Sequence, residues 1–125
     1  MFHPQGPTFL ELARQALSST EQGYDLLGPK FDFTPFRTPE LFFEAFRKRL
    51  REEVDVATFK NVLDICCGTG AAMQELAPLC DGCLVGIDRS QGMLRQAAKN
   101  LNAIEGRFEL VRGNAFQMPF RSRFD

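Results

Sequence analysis

Between Asn61 and Gly113, short apolar runs alternate with stretches of helical period: NVLDI, AAMQELAPL, CLVGID, SQGMLRQAAKNL and RFELVRG. This alternation leaves little choice of architecture. A strand, a helix and a second strand joined in that order make a crossover unit, and crossover units build parallel sheets. The predicted fold is α/β, a Rossmann-like open parallel sheet over residues 61–125 preceded by a helical segment over residues 1–60. At 125 residues, 44% hydrophobic and 25% charged, the chain has the composition of one ordinary globular core.

In the N-terminal segment, Thr8–Leu17 predicts a short helix capped by Thr8, with Phe9, Leu10, Leu12, Ala13, Ala16 and Leu17 as its apolar stripe. GYDLLGPKFDFTPFRTP, Gly23–Pro39, holds three prolines and two glycines and predicts a structured loop. A second helix is expected from Pro39 to about Val54, with Leu41, Phe42, Ala45, Phe46, Arg49 and Leu50 at helical spacing. Phe31, Phe33, Phe36, Phe42, Phe43 and Phe46 are expected chiefly to pack this segment onto the sheet, with the lining of an apolar acceptor pocket as the alternative. Tyr24 is the segment's candidate for touching a bound ligand. The run RKRLRE, Arg47–Glu52, reads as a solvated helix face.

A formal net charge of -1 and a pI near 5.9 give no bias toward nucleic acid or an anionic membrane, so no nucleic-acid partner is expected. The N-terminus lacks a basic stretch followed by a long apolar core, and the cytoplasm is the expected compartment. The four cysteines are then expected as free thiols. Cys66, Cys67, Cys80 and Cys83 superficially suggest zinc. Cys66 follows strand one, however, and Cys83 begins strand two, which in a parallel sheet sets them roughly 15 Å apart. No metal is expected, and His3, near the chain end, is assigned no catalysis.

In open parallel sheets, ligands bind beyond the carboxyl ends of the strands, so Asp64 to Gly70, Asp88 and Gly113 to Phe116 should converge on one crevice. Gly68 and Gly70 admit a ligand close to the backbone, and the next helix offers free N-H groups at Ala71 and Ala72. Asp88 ends strand two, where a carboxylate can accept both hydroxyls of a ribose. These features suit a dinucleotide or another adenosyl ligand. Asp64 would repel a pyrophosphate and attract an ammonium group.

VLDICCGTG, LVGIDRSQGML and VRGNAFQMPF with the later FD resemble, in order and spacing, the motifs of the class I S-adenosylmethionine-dependent methyltransferases. The cysteine pair is similar to the branch that methylates quinone precursors. The resemblance implies methyl transfer from S-adenosylmethionine to a small, apolar acceptor. Asp64 and the backbone of Cys66 and Gly68 would hold the methionine moiety and Asp88 the ribose. Asn114 and the Ala115 N-H would meet adenine, with Arg89 or Met93 over its face. Cys66 stands where the family usually has glycine, which implies a position with no need of a left-handed backbone. The family's acceptor side lies largely from strand four onward, so no catalytic base is named. The chain is expected to stop at the start of that strand, to be inactive alone, and to self-associate through an open sheet edge. The alternatives are a nicotinamide-dependent oxidoreductase and a non-catalytic cofactor-binding fragment that needs a partner.

Overall fold

The structure, a computed structural model, describes residues 3–53, 59–104, 107–121 and 124. Three parallel strands, β1 (Phe59–Ile65), β2 (Cys80–Asp88) and β3 (Arg107–Arg112), form one sheet in the order β1-β2-β3. They are joined by α4 (Ala71–Leu76) and α5 (Gln91–Leu101), as the alternating pattern predicts. Both crossovers step in the same direction across the sheet. Right-handed connections therefore put both helices on one face.

That face carries the core. In register, Val62 lies beside Leu84 and Leu84 beside Phe108, and these pack with Cys67, Met73, Leu94, Ala97 and Leu101. Met73, Ala97 and Leu101 are 0–1% exposed. On the opposite face Val85 and Ile87 of β2 are buried, while at the edge Leu63 is half-buried and Ile65 is 48% exposed.

The N-terminal segment departs from expectation in two places. The predicted loop Gly23–Pro39 is mostly helical: α2 (Thr20–Leu27), capped by Ser19, runs into a 3-10 helix over Gly28–Phe33. Composition misleads here because the supposed breakers do other work. Pro29 occupies the first turn of the 3-10 helix, where its missing N-H costs nothing. Gly28 keeps a right-handed helical backbone and lies where α2 crosses α5, with Gly92 against it. The second departure is α1 (Phe9–Ala16). It carries the expected Thr8 cap, completed by Glu11, yet buries none of its residues; Phe9, Leu10 and Leu17 are 77%, 78% and 91% exposed.

The next helix, α3 (Glu40–Glu53), starts just after Pro39 as expected; its predicted end at Val54 lies outside the described residues. Arg47, expected on a solvated face, instead bridges Glu40 at 2.8 Å and Glu75 at 2.6 Å, tying α3 to α4. The six phenylalanines do not make the expected packing layer. Only Phe43 is buried, while Phe33, Phe36 and Phe42 are exposed. No helix among the described residues is long and apolar enough to cross a membrane.

Among the described residues, the outer side of β1 pairs with no strand. A strand edge that no other strand covers is a template for another chain. We expect concentration-dependent self-association in size exclusion with light scattering, relieved by Ile65→Lys. A monomer at every concentration would show that the edge is protected.

Candidate functional site

The carboxyl ends of the three strands open into one cleft of about 880 Å³, within the range of small-molecule sites. Asp64, Cys66 and Gly68 line it from β1 and the following turn, and Asp88, Arg89 and Met93 from the β2–α5 junction. Gly113 to Phe116 line it after β3, and Tyr24, Phe31, Asp32, Phe42 and Phe43 from the N-terminal segment. Eight of the nine residues singled out from sequence thus share one cavity; Gly70 does not line it.

The turn after β1 differs from expectation at both ends. Cys66 has φ 62°, so the position does take a left-handed backbone, at a cost of about 1–2 kcal/mol for a residue bearing a Cβ. Gly70, also left-handed at φ 84°, faces inward: a Cβ there would press on Leu101 and Ala97. Its role is to start α4 against the core, not to admit a ligand. Gly68 does match the expectation. It has φ 54°, and a Cβ built on it meets nothing within 4 Å, so its open side faces cleft space.

Asp88 accepts from the Gly68 N-H and the Ser90 N-H, both at 2.9 Å. The Gly68 N-H is therefore already engaged, while the Asp88 carboxylate keeps lone pairs for further donors. Asn114 Oδ1 accepts from the Phe116 N-H at 3.0 Å and caps the short 3-10 turn Ala115–Gln117, which leaves it one lone pair toward the cleft. Arg89 pairs with Glu21 at 3.2 Å, a pairing that competes with covering a ring in the cleft. Met93 is 2% exposed and lines the wall. Tyr24, read from sequence as a loop residue, stands on α2 and also lines the cleft.

Asp64 Oδ2 is buried with no hydrogen-bond partner. Burial, reinforced by the nearby Asp88 charge, lifts its carboxyl from an ordinary 3.8 to about 6. Asp32, Asp64 and Asp88 all line the cleft, and none belongs to an ion pair among the described residues. Such a cleft attracts cations. The neighbouring Cys67 thiol is pushed up to about 12, first by burial and then by Asp64, so it stays protonated at neutral pH.

The methyltransferase domain family matches residues 62–125 of this sequence. The chain belongs to the class I S-adenosylmethionine-dependent methyltransferases. A demethylmenaquinone methyltransferase of Lactiplantibacillus plantarum is 31% identical over 117 residues, 88% of this chain and 48% of the relative. One from Bacillus mycoides is 35% identical over 80 residues, 62% of this chain and 34% of the relative. This family member thus spans about half the length, or less, of the curated relatives it matches. Among solved structures, the N-methyltransferase NodS from Bradyrhizobium japonicum, in complex with S-adenosyl-L-homocysteine, shares the fold. Its TM-score is 0.67 at 20% identity, covering 86% of this chain and 54% of that one.

The cleft fits this family's cofactor on two observations: the bare Asp64 Oδ2 suits an ammonium donor, and the open side of Gly68 leaves room beside the turn. Residues that sequence reasoning missed are Asp25, Asp32, Thr69 and Asn100, which join the N-terminal segment to the turn and to α5. Only the polarity of Asp25 and Asp32 within an aromatic stretch hints at them.

Asp64 makes a pH prediction. A ligand with an ammonium group favours the ionised carboxylate, whose pKa is about 6 in the free protein. Affinity for S-adenosylhomocysteine should therefore level off above pH 6 and fall below it, by up to about tenfold per unit. Methylthioadenosine, which lacks the amino group, should not show this fall. Stability runs the other way. The folded pKa lies above the unfolded value, so the free protein gains from protonating Asp64 as pH drops from about 6 toward 4, relative to Asp64→Asn. Calorimetry across pH with both ligands and the variant checks the sign.

Proposed function

We propose that this chain forms the S-adenosylmethionine-binding part of an enzyme that methylates a small, apolar, quinone-related acceptor. The observation that carries the reading is the unpartnered, buried Asp64 Oδ2 beside the open flank of Gly68. A dinucleotide would bring a pyrophosphate to that carboxylate; an amino-acid moiety brings the cation it lacks.

When bound, S-adenosylmethionine supplies a methyl group already activated on a sulfonium, so the protein's contribution is chiefly placement. Asp64 would hold the ammonium and Asp88 the ribose hydroxyls, with Met93, Asn114 and Ala115 at the adenine. The three cleft carboxylates that belong to no ion pair among the described residues, Asp32, Asp64 and Asp88, favour a ligand of positive charge. Phe31, Phe42 and Phe43 with Tyr24 give the same cleft an aromatic wall, which suits a flat apolar acceptor. The relatives named demethylmenaquinone methyltransferase support that acceptor class.

Titration calorimetry with S-adenosylhomocysteine and with NAD tests the cofactor. Saturable binding of the first and none of the second is expected, and the reverse would return the chain to the oxidoreductase reading. For the acceptor, the chain loaded with S-adenosylhomocysteine is titrated with a short-chain demethylmenaquinone. Binding is the readout because the chain spans about half of its relatives. Saturable heats that vanish in Phe31→Ser are expected; none in the wild type would remove the quinone-related acceptor.

A further inference from the structure

One carboxylate from the N-terminal segment reaches the glycine turn. Thr69 Oγ1 donates to Asp32 Oδ1 at 2.6 Å, and Asn100 Nδ2 donates to Asp32 Oδ2 at 2.9 Å. The same amide donates to the Thr69 carbonyl at 3.0 Å. Asp32 on the 3-10 helix, Thr69 in the turn and Asn100 near the end of α5 thus close a ring of hydrogen bonds. Gln96 Nε2, donating to Asn100 Oδ1 at 2.9 Å, fixes which way that amide points.

Thr69 is 4% exposed, so its hydroxyl has little access to water as a substitute partner. It also sits between two left-handed residues, Gly68 at φ 54° and Gly70 at φ 84°. Glycine neighbours leave the backbone free to relax into other turns. The bonds made by the Thr69 side chain and carbonyl oppose that freedom. The rest of the turn is held from the sheet, by the Cys67 N-H on the Ile87 carbonyl at 3.1 Å and by the Gly68 N-H on Asp88. Among the described residues, only at Thr69 does the restraint come from the N-terminal segment.

We propose that Asp32 is a positioning residue for the cofactor turn: through Thr69 and Asn100 it sets the turn's shape and makes the N-terminal segment part of the cofactor site. The inference rests on the S-adenosylmethionine reading of that cleft. Both Asp32 oxygens are spent on neutral donors, and bonds to an ionised acceptor are stronger than bonds between neutral groups.

The test measures S-adenosylhomocysteine affinity by calorimetry beside thermal melting for Asp32→Asn, Thr69→Val and Thr69→Ser. Loss of one or two such bonds should weaken binding about 5- to 30-fold in Asp32→Asn and Thr69→Val, while Thr69→Ser, which keeps the hydroxyl, stays near wild type. The double variant Asp32→Asn/Thr69→Val should lose less than the product of the two single losses, because both changes act on one ring of hydrogen bonds. Lys30→Met serves as control. It breaks the 2.7 Å ion pair of the same segment with Glu11, away from the turn, and should leave affinity unchanged. Wild-type affinity in folded Thr69→Val, or equal losses in Thr69→Ser and Thr69→Val, overturns the inference while leaving the cofactor reading intact. No binding by the wild type would instead overturn the cofactor reading, and this inference with it.

Discussion

Asp88→Ala is expected to weaken S-adenosylhomocysteine binding by about 2–4 kcal/mol, taking about 1.5–3 kcal/mol for each hydrogen bond to a charged group and incomplete additivity. Beside the ribose recognition proposed for it, Asp88 has a structural role. The same carboxylate anchors the Gly68 N-H and the Ser90 N-H, each at 2.9 Å, so alanine would also release the turn and the first residue of α5's cap. Asp88→Asn separates the two roles. Its amide oxygen can still accept from one backbone N-H but cannot serve both anchors and two hydroxyls at once. It should fall between wild type and alanine in affinity while melting closer to wild type. Calorimetry beside thermal melting reads both quantities. Unchanged affinity in a folded alanine variant would move the ribose away from Asp88.

What the sequence discloses follows the length scale of the signal. The strands and crossover helices are legible because each is specified by its own residues, in runs such as CLVGID whose Leu84, Val85 and Ile87 are all buried on the central strand. The strand ends then have to meet, because parallel topology brings carboxyl ends to one side. Asp64, Asp88 and Asn114 therefore fall in one cleft on the strength of the strand pattern alone. The conformations within the turn are not legible, since the left-handed backbone at Cys66 is imposed by its surroundings against the residue's own preference.

The N-terminal segment is the least legible part. Its glycines and prolines suggest breaks, but Gly28 permits a helix crossing and Pro29 opens a 3-10 turn. Local composition cannot report that use, because the reason for Gly28 is Gly92, far along the chain. Asp32 gives little more than its polarity among aromatics for the same reason: its partners Thr69 and Asn100 come from other elements. Contacts of this range carry the relation between the helical segment and the cleft, so the site is only partly written in its motifs.

Gly92→Val should be severely destabilising, costing about 3 kcal/mol or more of stability. A Cβ at Gly92 would fall on the backbone of Asp25, and one at Gly28 on the backbone of Gly92. Neither obstacle is the flexible end of a side chain, so relief requires α2 and α5 to separate. Separation would also break the Asp25 clamp, in which Ser90 Oγ at 2.7 Å and the Gly92 N-H at 2.9 Å donate to one carboxylate oxygen. The Gly92 N-H, then the Ser90 hydroxyl, holds that carboxyl below its usual range. A depressed folded pKa adds stability above the unfolded value that is lost as pH falls through the folded one, so Gly92→Val should also remove that acid-sensitive share. Gly68→Ala is the contrast. Its Cβ would meet open space, leaving only the left-handed backbone to cost about 1 kcal/mol. Urea melts at neutral and acid pH read all of this. If Gly92→Val were as stable as Gly68→Ala, α2 would not rest on α5, and the cleft would lose the wall that carries Tyr24 and Phe31.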